Sequence, residues 1–169
     1  MSELIEFRKS KDEFFKQDHH APLTPDQQRS FKGLSYYDEN RSLKIELKPT
    51  QFEKPEMIEM QTSTGDVAKY YRWATVSFEV DSQPAQLTLY KDIEGDDFFL
   101  PFTDATSGKE TYPAGRYLET HALSNGNLLV DFNYAYNPYC AYNEMWSCPL
   151  TPFENRLQVP IRAGEKTFK

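Results

Sequence analysis

Ser42-Leu43-Lys44-Ile45-Glu46-Leu47-Lys48 and Thr75-Val76-Ser77-Phe78-Glu79-Val80 decide the fold of this chain. In both runs apolar side chains take every second position, and charged or hydroxyl side chains take the positions between. That period of two puts one face of a strand in a core and the other in water. Leu87 and Leu89 repeat the pattern. Turn-forming clusters punctuate these runs at Pro49-Thr50, Ser63-Thr64-Gly65-Asp66, Asp81-Ser82-Gln83-Pro84, Glu94-Gly95-Asp96 and Ser124-Asn125-Gly126-Asn127. The Asn125-Gly126 pair lies between the apolar runs around Leu118 and Leu128-Leu129-Val130, the strongest short-range hairpin signal in the chain. About seven to nine short strands joined by tight turns predict a mainly β fold, an antiparallel β-barrel or β-sandwich, and not a βαβ architecture.

Helix signals occur only near the start. Ser10-x-x-Glu13 has the form of a capping box, and Phe14-Phe15 gives that segment something to bury. In Thr24-Pro25-Asp26-Gln27 a hydroxyl stands at the N-cap, Pro at the first helical position and Gln at the third, which predicts a short helix to about Phe31, stopped by Gly33. The whole chain, 1–169, reads as one domain: a helical segment over 1–33, a β core over 34–133 and an irregular capping segment over 134–169.

Composition narrows the function classes. The formal charge is −7 and the pI about 5.0, whereas phosphate-backbone binding needs clustered Lys and Arg, so no nucleic-acid partner is expected. No run approaches the roughly 18 apolar residues of a membrane span, and MSELIEFRKSKDEFF alternates charge with apolar residues where a signal peptide needs an unbroken apolar stretch. A cytoplasmic location with no membrane partner is the expectation, and two cysteines in a reducing compartment are more often free thiols or ligands than a structural bridge.

The densest chemistry is Asp131-Phe132-Asn133-Tyr134-Ala135-Tyr136-Asn137-Pro138-Tyr139-Cys140-Ala141-Tyr142, followed by Cys148-Pro149 and Glu154-Asn155-Arg156. Pro138, Pro149, Pro152 and Pro160 each lack a backbone donor, so no central strand is expected here. The crowd of rings instead predicts a Pro/Tyr-rich segment packed over an open end of the β shell. Together with Leu100-Pro101-Phe102-Thr103-Asp104-Ala105-Thr106-Ser107-Gly108-Lys109-Glu110-Thr111-Tyr112, Gly115-Arg116-Tyr117, the ENRLQVPIRAGEK run from Glu154, and Pro22-Leu23 with Phe31-x-Gly33-Leu34, this stretch resembles the bacterial and archaeal family catalogued as domain of unknown function 1684. The resemblance covers nearly the whole chain and implies no particular reaction.

The candidate site therefore rests on the residues themselves. Arg116 offers a planar fork for two anionic oxygens, or a structural ion pair with Asp104, Glu110 or Asp131. Asp131 and Asn133 share a strand face by the two-residue period, and the turn at Asn137-Pro138 folds Asn137 back towards them. Walled by Tyr136 and Tyr112, such a cluster suits a small polyhydroxylated or zwitterionic molecule; the plainer reading is a turn with Asp131 capping loop amides. Cys140 and Cys148 have three accounts. They are metal ligands with His121, or a redox or nucleophilic pair activated by Arg116 or Arg156, or small apolar packing groups. They lack the close CxxC spacing, so no metal and no cofactor is expected. His19-His20 reads as a solvated pair, and Tyr70-Tyr71-Arg72-Trp73 as a stacking platform with half its rings in the core.

Three functions follow from these residues. The first is a small-molecule-binding β domain using Arg116, Asp131, Asn133, Tyr136, Asn137, Cys140 and Tyr112. The second is a hydrolase or thiol-dependent enzyme using Arg116, Asp131, Asn137 and Cys140. The third is a structural or interaction domain without a ligand. The first is preferred because the sequence has no GxSxG motif and no His beside a Ser or Cys.

Overall fold

In a computed structural model that describes residues 2–120 and 122–168, seven antiparallel strands form two sheets. Strands β2 (Thr50–Gln61), β3 (Val67–Val80), β4 (Gln83–Asp92), β5 (Phe98–Phe102) and β6 (Arg116–Thr120) pair in that order in one sheet. Strands β1 (Lys44–Leu47) and β7 (Leu128–Asp131) pair in the other. Among the described residues β2 and β6 are the outer strands of the larger sheet, so it does not close into a barrel and the arrangement is sandwich-like.

The alternation in the two opening runs sets the core. Val76, Phe78 and Val80 of β3, Leu87 and Leu89 of β4, Leu100 and Phe102 of β5, and Leu118 of β6 form one buried cluster with Leu43, Leu128 and Val130. Burying a side chain of that size contributes about 1.5–3 kcal/mol. Three strands are longer than the sequence suggests, because β2, β3 and β4 run as a meander whose outer ends project past the core. The β3–β4 hairpin turns on Asp81 and Ser82, both at positive φ (51° and 66°), as a two-residue loop requires when its twist must match that of the strands.

Two expectations need correction. The first helix, α1, spans Glu3–Gln17 and is capped by Ser2, whose hydroxyl accepts from the Ile5 amide, so Ser10 lies inside it. Leu4 and Phe15 are both buried, and the apolar face they share extends the helix two turns further towards the start. The Asn125-Gly126 turn forms, with Leu123 donating to Asn127, but it joins strands of different sheets. Among the described residues an isolated bridge, Ala122 to Leu128, spans the turn, and β7 takes β1 as its partner from Lys44–Asp131 to Leu47–Leu128. The second helix, α2 (Pro25–Ser30), has the expected capping box between Thr24 and Gln27.

The C-terminal segment does more than cover an end. It bridges the free edge of β6, with paired hydrogen bonds between Tyr117 and Tyr136 at 2.8 and 2.9 Å. Further on, Leu157, Val159, Ile161 and Ala163 alternate into the main core. Between them, Asn155 fills the gap where β4 and β5 diverge. Its side chain accepts from the Thr88 amide at 2.8 Å and donates to the carbonyls of Thr88 and Pro101 at 2.9 and 2.8 Å, completing a ladder that the two strands leave open. Thr88 and Tyr90 are buried alongside Leu87 and Leu89, and the neighbouring Glu154 accepts the Tyr90 hydroxyl.

Candidate functional site

Strand β6 sorts the predicted residues. Arg116 and Leu118 face the core; Tyr117 and Glu119 face the other side of the sheet. The Arg116 guanidinium is 1% exposed, and both of its terminal nitrogens are hydrogen-bonded within the protein. It donates to Asp104 and to the Ile161 carbonyl, both at 2.8 Å, to the Glu165 carbonyl at 3.2 Å, and to the Ala163 carbonyl. Asp104 is equally committed, accepting from the Thr106 amide and hydroxyl and from the Ile161 amide. Burial pulls the guanidinium below its ordinary range while Asp104 opposes the shift. The pair pins the tail to β6, with its terminal nitrogens and carboxylate oxygens bonded inside the protein.

Asp131, Asn133 and Asn137 do not join Arg116 around a common hollow. Asp131 caps the turn that follows β7, accepting from the Asn133 amide and side chain at 3.0 and 2.9 Å. Asn133 is buried and exchanges side-chain bonds with the backbone of Asn40. Asp131 and Asn133 border a separate hollow beside Ser2, Arg41 and Lys44. Asn137 is buried against the tail, its amide donating to Glu165 and its side chain to the Lys166 carbonyl. Glu165 also receives Lys11 at 3.0 Å and the Tyr142 hydroxyl, so the charged end of the tail braces α1 and the tyrosines. The plainer reading of the Asp131 to Asn137 run is the one the geometry matches.

The open chemistry lies on the outer face of the large sheet. A cleft of about 280 Å³ is walled by Tyr70 of β3, Phe98 and Phe99 of β5, Tyr117 and Glu119 of β6, Asp92 and Asp97, and the tail residues Tyr136 and Pro149. Tyr70 stacks on Phe99 at 5.2 Å, Phe99 meets Tyr117 edge-on at 4.8 Å, and Tyr117 meets Tyr136 at 5.9 Å. Tyr136 donates its hydroxyl to Glu119 at 2.7 Å. Burial and that carboxylate push the Tyr136 phenol well up, so it stays a neutral donor. Three carboxylates and five aromatic residues thus line the cleft, with no Lys or Arg among the lining residues.

The two cysteines sit directly behind this wall. Cys140, Cys148 and Tyr117 form one buried cluster, with Tyr112, Tyr136, Tyr139, Phe99 and Trp146 packed against it. Both thiols are free. The Cys140 amide donates to Cys148 Sγ at 3.4 Å, and the Tyr112 hydroxyl lies 3.8 Å from Cys140 Sγ. A hydrogen bond from the Cys148 thiol outweighs burial, and with help from Tyr112 and Ser63 it brings Cys140 down to about 6 while Cys148 keeps its proton. His121, the third ligand of the conceivable zinc site, lies outside the described residues. His19 and His20 are solvated beside Asp18 at the end of α1.

Of the predicted site residues, then, Tyr136 lines the cleft, Cys140 and Tyr112 back it, and Arg116, Asp131, Asn133 and Asn137 lie elsewhere. Sequence reasoning missed Phe99, Glu119, Asp92 and Asp97. The outward-pointing aromatics of β5 and β6, set between core residues by the period of two, were the available signal.

The fold and cleft define a two-sheet, mainly β protein with an aromatic, acidic hollow beside a buried thiol pair. The chain belongs to the family described as protein of unknown function (DUF1684), which matches residues 29–166. Among solved structures it is similar to an uncharacterized protein of Haloarcula marismortui determined in solution by NMR. The two share 36% identity over 97% of this chain and 92% of the other, with a TM-score of 0.74. No curated protein matches the chain.

Proposed function

We propose that this protein is a small-molecule-binding β domain whose ligand carries an ammonium group and enters the cleft between Tyr70, Phe99, Glu119 and Tyr136. The observation that carries this reading is the lining itself, in which aromatic faces and carboxylates converge without a protein cation to neutralise them. A cation over an aromatic face gains about 0.5–2 kcal/mol, and more as water leaves. Glu119 supplies the opposite charge, and its hydrogen bond to Tyr136 fixes the ring that closes one side.

Of the residues first considered for ligand contact, Tyr136 makes it directly, while Tyr112 and Cys140 support the wall. The acidic net charge favours a cationic small molecule over nucleic acid or an anionic membrane surface. Among the described residues no helix is long and apolar enough to cross a membrane. A cytoplasmic setting, which would keep both thiols reduced, fits the state of Cys140 and Cys148.

Titration with tetramethylammonium and with butylammonium tests the reading by calorimetry and by thermal shift, since a ligand that binds only the folded chain raises its melting temperature. Saturable binding that Glu119→Gln abolishes is the expected result. Binding of the neutral alcohol of matching shape with equal affinity would overturn it.

A further inference from the structure

We infer that Cys140 and Cys148 form a reversible thiol–disulfide site, with Cys140 the attacking sulfur and Cys148 the resolving one. The inference stands on the loop that carries them and is independent of what the cleft binds.

Geometry comes first. Cys140 sits in a one-turn helix over Tyr139–Ala141, and its amide already touches Cys148 Sγ at 3.4 Å, so the chain has folded back to bring the two residues together. The loop is held at its far end by strand-like contacts with the end of β2. Ser63 donates its amide to the Cys148 carbonyl at 2.9 Å and accepts the Cys148 amide at 3.1 Å on its hydroxyl; Leu150 donates to Gln61 at 2.7 Å. The near end is held by the Tyr117–Tyr136 bridge. Between these anchors Glu144, Met145 and Ser147 are exposed, Met145 at 73%, so the segment has room to adjust when a bond forms. Both cysteines keep a sliver of exposure, 9% and 7%, which a small oxidant needs.

The aromatic cluster that encloses the two cysteines also sets a hydroxyl beside sulfur. An apolar environment raises a thiol's pKa and leaves it inert, whereas hydrogen-bond donors aimed at sulfur favour the thiolate. Here the Tyr112 hydroxyl lies 3.8 Å from Cys140 Sγ, and burial pushes Tyr112 up to about 12 so that it stays protonated and able to donate. Cys148, whose sulfur already takes the Cys140 amide at 3.4 Å, is placed to attack once Cys140 has reacted.

The chemistry takes a hydroperoxide as oxidant. Cys140 thiolate attacks the terminal peroxide oxygen; an S–O bond forms, the O–O bond breaks, and the departing oxygen takes a proton and leaves as water or alcohol. The Cys148 sulfur then attacks the Cys140 sulfenic acid. The S–S bond forms, the S–O bond breaks, and the released hydroxide takes the Cys148 proton to leave as water. In sum two thiols lose two electrons and two protons, and the peroxide gains both.

The test is hydrogen peroxide added to the full chain, folded or in urea, followed by an acid quench, alkylation and peptide mass spectrometry. The folded chain is expected to give a Cys140–Cys148 linked peptide at least roughly tenfold faster than the unfolded chain, and dithiothreitol should restore both thiols. In Cys148→Ala, Cys140 should accumulate as a sulfenic acid trapped by a cyclic dione, while in Cys140→Ala no trapped Cys148 should appear. A linked peptide that forms no faster in the folded chain, or both cysteines still alkylated after peroxide, would overturn the inference. The wild-type comparison alone decides this if either variant fails to fold.

Discussion

Arg116 and Glu119 stand three residues apart on one strand and have opposite fates. Arg116 is sealed in the core with carbonyls and Asp104 on its donors; Glu119 is exposed on the outer face with one hydrogen bond, from Tyr136. In the sequence only Arg116 stands out as a site residue, and the structure reverses that ranking. What separates them is unspent valence, since a polar group whose partners all lie inside the protein holds the fold, and one that faces an open cavity can hold something else. The same contrast runs through the tail, where Asn155 and Glu165 are buried braces and Tyr136 is a wall.

Breaking the brace should have the largest effect. Arg116→Ala would leave the Asp104 carboxylate buried without its ion partner, which costs about 3–5 kcal/mol and should show in urea unfolding as a lowered midpoint. A change below about 1 kcal/mol would mean the tail is held elsewhere. Asn155→Ala should follow at about 2–3 kcal/mol, because it strips partners from the Thr88 amide and from the carbonyls of Thr88 and Pro101.

Gly164→Ala sharpens the same point by backbone means. Gly164 has φ of 81°, and a Cβ there would stand 2.7 and 2.8 Å from the carbonyl oxygens of Ala135 and Phe132, so the variant should lose stability even though no side-chain contact is removed.

The cleft should behave differently. Glu119→Gln is expected to stay within about 0.5 kcal/mol of wild type in stability while losing the response to amines.

The effect of the thiol pair on stability depends on pH in its sign. Folding lowers Cys140 from 9.0 to about 6, so the fold favours the thiolate. Its stabilisation is fully present above the ordinary thiol range and lost as pH falls through about 6. Cys148 is raised, so above its ordinary value it subtracts instead. Iodoacetamide labelling of Cys140 should rise with a midpoint near 6, and Cys148→Ala should move that midpoint upward.

The β architecture was legible because one wet face and one dry face impose a period of two, and β1 and β3 keep it. The capping box at Thr24 was legible because its partners lie three residues apart. Strand partnership was not. The Asn125-Gly126 turn carries the same local chemistry whether its flanking strands share a sheet or, as here, divide between two. The prolines of the tail predict irregular chain because they break a ladder, yet Leu157, Val159, Ile161 and Ala163 keep the alternation that places them in the core. The polar cluster misled for a related reason. Sequence shows that Arg116, Asn133 and Asn137 are polar, but whether carbonyls from remote segments satisfy them is a long-range fact, as with Ile161 and Ala163 around Arg116.

The distinction between brace and cleft is tested most directly by mapping amide chemical shifts of the full chain during titration with tetramethylammonium. Saturable shifts concentrated at Phe98, Phe99, Tyr117 to Glu119 and Tyr136, with Asp131 and Asn133 unmoved, are the predicted result. Shifts centred on Asp131 and Asn133, or none at all, would contradict it.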